Sequence, residues 1–185
     1  MFWQPLFVGG AGHALSLAGT LDAQRVAIER GHLALAGIGG LEFSAMLDRV
    51  GGKLMMARMK SVNLEIAALY DKLLKPALQG TLLADLRCDG HADIALEVKD
   101  GAVTAADLEF RRVSIEDKGR RFALFGLAGT LPWQRAQLTA ANLRLEGGEV
   151  LRVPFGAVDL RLETRGTHVR MRDVGIPLLG GKLYV

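Results

Sequence analysis

Little in this sequence is of the kind that fixes a chemistry. Its 185 residues hold a single cysteine, Cys88, so no internal disulfide can form and the thiol reads as buried and inert. Aromatic residues make up 6% and there are 5 prolines. No run of about 18 apolar residues occurs, so no transmembrane helix is expected. The apolar start, MFWQPLFVGGAG, lacks the basic lead of a secretory signal peptide. Phe2, Trp3, Leu6, Phe7 and Val8 read instead as the stub of a strand.

The usual reactive patterns are missing as well. His13, His32, His91 and His168 lie far apart, and none has a partner at metal-ligand spacing. Cys88, Asp89, His91 and Asp93 come nearest and read as a solvated turn. No GxSxG elbow surrounds Ser16, Ser44, Ser61 or Ser114. Gly10 and Gly12 are spaced as in a dinucleotide loop, but Leu15 takes the third position and strand-like alternation follows. Asp107 and Glu109 share a strand face and read as a wet pair. The expectation is therefore no enzyme, no catalytic residue, no metal and no cofactor.

What the chain has in quantity is apolar residues, at 50%, and glycine, 23 in all. Short apolar runs between glycines indicate strands and tight turns. Ile94, Leu96 and Val98 alternate with Asp93, Ala95 and Glu97, and Lys99-Asp100-Gly101 then signals a hairpin. Leu108 and Phe110 are even-numbered but Val113 and Ile115 are odd, which predicts a bulge near Arg111-Arg112. Glu116 to Gly119 reads as a turn. Phe122, Leu124, Phe125 and Leu127 occupy both parities, as in a strand covered on both faces. Further strands are predicted at Asn142–Glu146, Val150–Val153, Val158–Leu162 and Val169–Arg172. Earlier ones are predicted at Ala14–Ala18, Arg25–Glu29, His32–Ala36, Leu41–Ala45 and Lys53–Lys60. One segment, Leu64 to Leu78, has helical spacing at Ile66, Leu69, Tyr70, Leu73 and Leu74, with Asn63 as cap and Pro76 closing it. The fold expected is mainly β: an elongated, twisted antiparallel meander, taco-like or a partly open barrel. One amphipathic helix near residues 64–76 would plug an open end or cover an apolar face.

Two phrases recur. LAGTLDAQR at Leu17–Arg25 returns as LAGTLPWQR at Leu127–Arg135, and GGKLMM from Gly51 returns as GGKLYV from Gly180. At the first offset Val26 and Ile28 face Ala136 and Leu138, while Leu33 and Leu35 face Leu143 and Leu145. Such recurrence reads as stacked repeat units. Copy one covers about 11–60, helix and linking strands 61–126, and a partial copy two 127–185. The whole reads as a single β-rich domain cut from a longer array.

Arginines gather at Arg111, Arg112, Lys118, Arg120 and Arg121, and again at Arg161, Arg165, Arg170 and Arg172. Neither group is interleaved with aromatics or set on a basic helix, which argues against nucleic acid.

Three stretches in succession, LEIAALYDKLLKPAL, then GTLLADLRCDGHADIALEVKDGAV, then LEFRRVSIEDKGRRFALFGLAGTLPW, are followed by VLRVPFGAVDLRLE and VGIPLLGGKLYV. This order resembles the AsmA-like superfamily of bacterial envelope proteins, most of all its YdbH-like branch. The resemblance implies a periplasmic sheet with an apolar groove, inner-membrane-anchored in a longer parent protein, that conducts phospholipid towards the outer membrane. On that reading Leu96, Val98, Leu108, Phe110, Leu160, Leu162 and Met171 line the groove, helped by flexible Leu54, Met55, Met56 and Met59. Arg111, Arg112, Arg120 and Arg121 would meet lipid headgroups. The competing expectation is an interaction module that pairs through an open sheet edge, including with a second copy, and holds no lipid.

Overall fold

The structure is a computed structural model that describes residues 2–10, 12–172 and 174–184, the first stretch by its backbone alone. The chain separates into two compact units. Unit one takes the residues up to Leu64 together with Asp93–Asp107; unit two takes Glu65–Ala92 and the residues from Leu108 onward.

Unit one is a meander. Strands β1 (Phe2–Gly10), β2 (His13–Leu21), β3 (Arg25–Leu35), β4 (Gly39–Asp48) and β5 (Lys53–Val62) pair antiparallel in chain order. The hairpin end of β7 (Leu86–Lys99) pairs with β5 from Met56↔Lys99 to Lys60↔Ala95. The predicted turn at Asp100-Gly101 is present, both residues left-handed at φ 52° and 75°. The two strands expected at Arg25–Glu29 and His32–Ala36 are one. Glu29 and Arg30 are absorbed where the register shifts between Ile28 and Gly31, so the alternation breaks while the strand continues.

Strand β6 (Leu64–Glu65) leads into helix α1, residues 66–77, which belongs to unit two. Asn63 does not cap it: its own φ is 53° and its N–H is donated to the Asp93 carboxylate. The cap position falls to Glu65, which makes no side-chain cap bond, and Pro76 lies inside the last turn rather than beyond it. A π-turn at Tyr70–Leu74 resets the helical phase. The expected apolar stripe therefore splits, with Tyr70 buried while Leu73 and Leu74 face solvent.

Strand β8 (Ala102–Asp117) carries the predicted bulge. Arg112 is left-handed at φ 52° in mid-strand, and burial passes from Leu108 and Phe110 to Val113 across it. Strand β9 (Phe122–Gln134) then forks. Its Phe122–Phe125 half pairs with β11 (Gly147–Val150), whereas Ala128–Thr130 pairs with β10 (Thr139–Leu145). One branch continues from β10 to β13 (Val158–Arg165) and β14 (His168–Arg172). The other continues from β11 to β12 (Val153–Phe155), β15 (Gly175–Leu178) and β16 (Gly181–Tyr184). The strand expected at Val150–Val153 is in fact a tight turn, with Leu151 and Arg152 at φ 50° and 69°.

Gly126, at φ 63°, stands at the fork. It corrects the expectation that β9 is covered on both faces. The backbone kink lets Leu124 and Leu127, of opposite parity, both pack on the cluster of Leu145, Val158 and Val174, with Phe155, Leu160 and Ile176 beside them. Phe125 is left 38% exposed. The two branches thus share a dry core.

A polar clasp anchors the loop after α1. The Tyr70 hydroxyl donates to the Leu83 carbonyl (2.7 Å) and accepts the Leu86 N–H (3.0 Å). Asp117, its side chain wholly enclosed, accepts Arg121 Nε and Nη2 at 2.7 and 2.6 Å and the Arg121 N–H at 2.9 Å. The same guanidinium reaches the Leu82 carbonyl (3.0 Å). Asp85 receives Lys118 Nζ at 3.4 Å and Lys75 Nζ at 3.9 Å.

The Arg121 side chain first, and the Arg121 N–H second, hold the Asp117 carboxyl far below the usual carboxylate range. Because its folded value is depressed, its contribution is complete above the unfolded value of about 3.9 and disappears as the pH falls towards the folded value. Asp117→Asn is expected to melt several degrees below the parent at pH 7, and the gap to narrow as the pH drops from about 4 towards 2. Thermal melts across that range check it. Tyr70→Phe leaves two backbone groups without their partner and is expected to cost about 1–3 kcal/mol by denaturant unfolding.

Candidate functional site

The register of unit one sorts its side chains into two faces, since residues directly opposite across a ladder point the same way. One row runs Leu17, Gly31, Phe43, Met59, Leu96. Its neighbours run Gly19, Ile28, Ala45, Ala57, Val98 on one side and Leu15, Leu33, Leu41 on the other. A fourth row is Leu21, Val26, Leu47, Leu54. The opposite face carries Ser16, His32, Glu42, Lys60 and, in the next row, Ser44, Arg58, Glu97. Arg58 Nε lies 3.2 Å from Glu97 Oε1, both well exposed, so the pair adds little.

The apolar face is not sealed. Leu15, Leu17, Ile28, Leu33, Leu41, Phe43, Leu47, Leu54, Met59, Leu96 and Val98 are all half-buried, and none is fully enclosed. Unit one's enclosed apolar residues, Ile38, Leu64 and Ala106, lie outside these rows. At the central row sits a hollow of about 790 Å³, lined by Leu17, Gly31, Phe43, Met59 and Leu96 with chain neighbours such as Arg30, His32 and Arg58. Gly31 is needed there because a Cβ would run into the Phe43 ring. The flat glycine floor lets the ring lie down, and the row is notched at that point.

The residues predicted for a groove are thus dealt to two units. Leu96 and Val98 belong to the half-open face of unit one. Leu108 and Phe110 are half-buried on β8 in unit two. Leu160 packs on the unit-two core cluster. Leu162 and Met171 are cross-strand partners on β13 and β14, Met171 being 51% exposed. Of the flexible set, Leu54 and Met59 lie on the apolar face; Met56 pairs with Met46 on the other, and Met55 falls where the register shifts. Leu17, Phe43, Ile28 and Leu47 are not among the predicted residues, although period-2 alternation in β2 to β4 marks them.

The basic candidates differ among themselves. Arg121 is committed to Asp117 and the Leu82 carbonyl. Arg111 Nη1 lies 3.9 Å from Glu109 and Arg112 Nε 3.8 Å from Glu146. Arg120 is exposed on the β8–β9 turn at φ 57°. No group of three or more metal-binding side chains occurs among the described residues, and none of their helices is long and apolar enough to cross a membrane. Cys88 is half-buried rather than enclosed, and burial, then the Asp71 carboxylate, push its thiol up, which lowers its thiolate fraction.

No protein-family model, curated protein or solved structure matches the chain.

An unsealed face has a measurable signature. Phe43→Ala removes a half-exposed ring and is expected to cost less than about 2 kcal/mol. Leu145→Ala opens a cavity in the closed core of unit two and is expected to cost about 2–5 kcal/mol. Urea unfolding of the two variants side by side tests the contrast.

Proposed function

We propose that the apolar face of unit one binds lipid acyl chains, and that the protein is a non-catalytic lipid-binding or lipid-conducting segment of a bacterial envelope protein of AsmA-like type. The observation that carries this reading is the row Leu17, Gly31, Phe43, Met59, Leu96, which is apolar on every strand it crosses and whose four side chains other than the enclosed Gly31 stay half-open. An oily face must be covered by a second layer, by closure or by a ligand. Four interstrand steps of about 4.8 Å give the row a length of roughly 19 Å, enough for much of one extended acyl chain. Each methylene it removes from water contributes about 0.8 kcal/mol. No proton or electron moves in such a mechanism, and the tail slides or rests on side chains that yield, Met59 above all. Arg112 and Arg120, both exposed, remain candidates for a headgroup phosphate. A periplasmic setting, with the membrane anchor elsewhere in a parent protein, goes with this reading.

Native mass spectrometry of the gently extracted protein is expected to find co-purifying phospholipid. Titration with a fluorescently tagged phospholipid is expected to saturate, and Phe43→Asp and Met59→Asp to weaken that binding at least tenfold. A lipid-free protein whose titration is unchanged by both substitutions would falsify the reading.

A further inference from the structure

The β13–β14 hairpin has one finished edge and one unfinished. Strand β14 pairs with β13 and with no other described strand. All five of its residues are exposed, Val169 by 67%. Its position is nonetheless fixed. Trp133 Nε1 donates to the Gly166 carbonyl in the hairpin turn (2.6 Å), and the Gly166 N–H donates to Gln134 (3.2 Å). Thr139 and Thr164 share a 2.8 Å hydroxyl contact beneath it, with Thr139 also donating to the Pro132 carbonyl (2.8 Å).

The turn itself is two residues long, with Gly166 at φ 55° in the first place. In such a turn the closing pair, Arg165↔His168, is the hydrogen-bonded kind. Bonded and non-bonded pairs then alternate up an antiparallel ladder. Val169 and Met171 therefore aim their N–H and C=O groups away from β13, at the open edge.

The side chains along that edge are sorted by chemistry. His168, Arg170 and Arg172 share one face, and Val169 and Met171 the other. Arg172 Nε is 3.0 Å from Glu163, while Arg170 and Arg161, the residue opposite Arg172 on β13, have no ion-pair partner among the described residues.

From the open edge and its charge we propose that β14 is a docking strand for an extended acidic segment of a partner protein, added edge-on to the sheet. The partner's backbone pairs with Val169 and Met171. Its carboxylates, at every second position, meet Arg170 and Arg172, and the apolar residues between them lie beside Val169 and Met171. A second copy of this chain is the poorer occupant. Among the described strands, the free edges of β14 and β16 carry Arg170, Arg172 and Lys182, and that of β1 carries no charged residue, so pairing β14 with these strands of a second copy sets like charges opposite each other or leaves its arginines without a carboxylate.

The test uses the whole chain and a fluorescein-labelled nine-residue peptide of alternating glutamate and valine, read by fluorescence anisotropy. Two control peptides replace glutamate by lysine or interrupt the acidic sequence with prolines. Binding of the glutamate–valine peptide alone is expected. Val169→Pro, which deletes an outward N–H but no bond to β13, and Arg170→Glu, on the exposed surface, are each expected to weaken it at least tenfold. Should Val169→Pro fail to fold by circular dichroism, Arg170→Glu carries the test. Absence of binding overturns the proposal. So does equal binding of the proline-interrupted peptide, which would mean a site for any polyanion. Concentration-dependent dimerisation that the peptide does not compete with would also overturn it, in favour of a second copy.

Discussion

An antiparallel sheet with one oily side must find something to lay against that side, and the two units meet the demand differently. In unit two, β9 splits, its two branches share Leu145, Val158 and Val174, and water is excluded. In unit one each strand pairs with the next and no fork occurs. The leucines of its apolar rows stop at half-burial. Between its bulges the sequence of unit one alternates apolar and polar residues much as unit two does. What it lacks is a kink that would turn part of its own sheet into a second layer.

The kinks are local and chemical. Gly126 takes φ 63° where a Cβ would collide with the Glu146 side chain, and one residue of left-handed backbone changes which parity faces inward. Arg112 makes a similar change without being glycine, at φ 52°. There the accommodation falls on the partner strand, where Gly90 takes φ 94° and leaves room for the Arg112 carbonyl. Unit one has bulges too, at Glu29–Arg30 and at Met55. Those restore the apolar face to its side after the slip, so a continuous row survives them. A bulge can therefore preserve a face or abolish one, depending on whether the residues beyond it shift phase with it.

This distinction governs how much could be read from residues alone. The hairpin at Asp100-Gly101 and the slip at Arg112 were legible because turn chemistry and parity are local properties. The double-parity run Phe122–Leu127 was legible as an anomaly but admitted two causes, and burial on both faces is the wrong one. Only the location of Leu145 and Val174 distinguishes them, and that is not local. Leu151 and Arg152 read as strand because neither residue type favours left-handed backbone; tertiary pairing of β11 with β12 imposes the turn on them. Asn63 has the right chemistry for a helix cap, but the Asp93 carboxylate on a strand thirty residues away claims its N–H. In the two LAGTL copies the repeated glycine is pressed against the partner strand, Gly19 opposite Ile28 and Gly129 opposite Leu143. Their partners differ by five positions more than the phrases do. The phrase marks the first strand of each hairpin, and the length of the loop decides what it meets.

Charge follows the same division between local and non-local. Read as a run, Arg111, Arg112, Arg120 and Arg121 look like one basic patch. The fold separates them. Arg121 faces a fully enclosed carboxylate and could leave it only by stranding Asp117 as a buried, uncompensated charge, which is costly. It is thereby a structural residue whatever ligand approaches. Arg112 and Arg120 sit on left-handed backbone in solvent, where ion pairs such as Arg112 with Glu146 at 3.8 Å are weak and easily exchanged. On β13 and β14 the ladder sets Arg161 opposite Arg172 and Arg170 opposite Glu163. Only one of those couplings is favourable, so that strand pair carries a cationic excess beside unpaired backbone. Attraction for an anion and hydrogen-bonding capacity for a strand then coincide on the same five residues, which is a narrower specification than positive charge by itself.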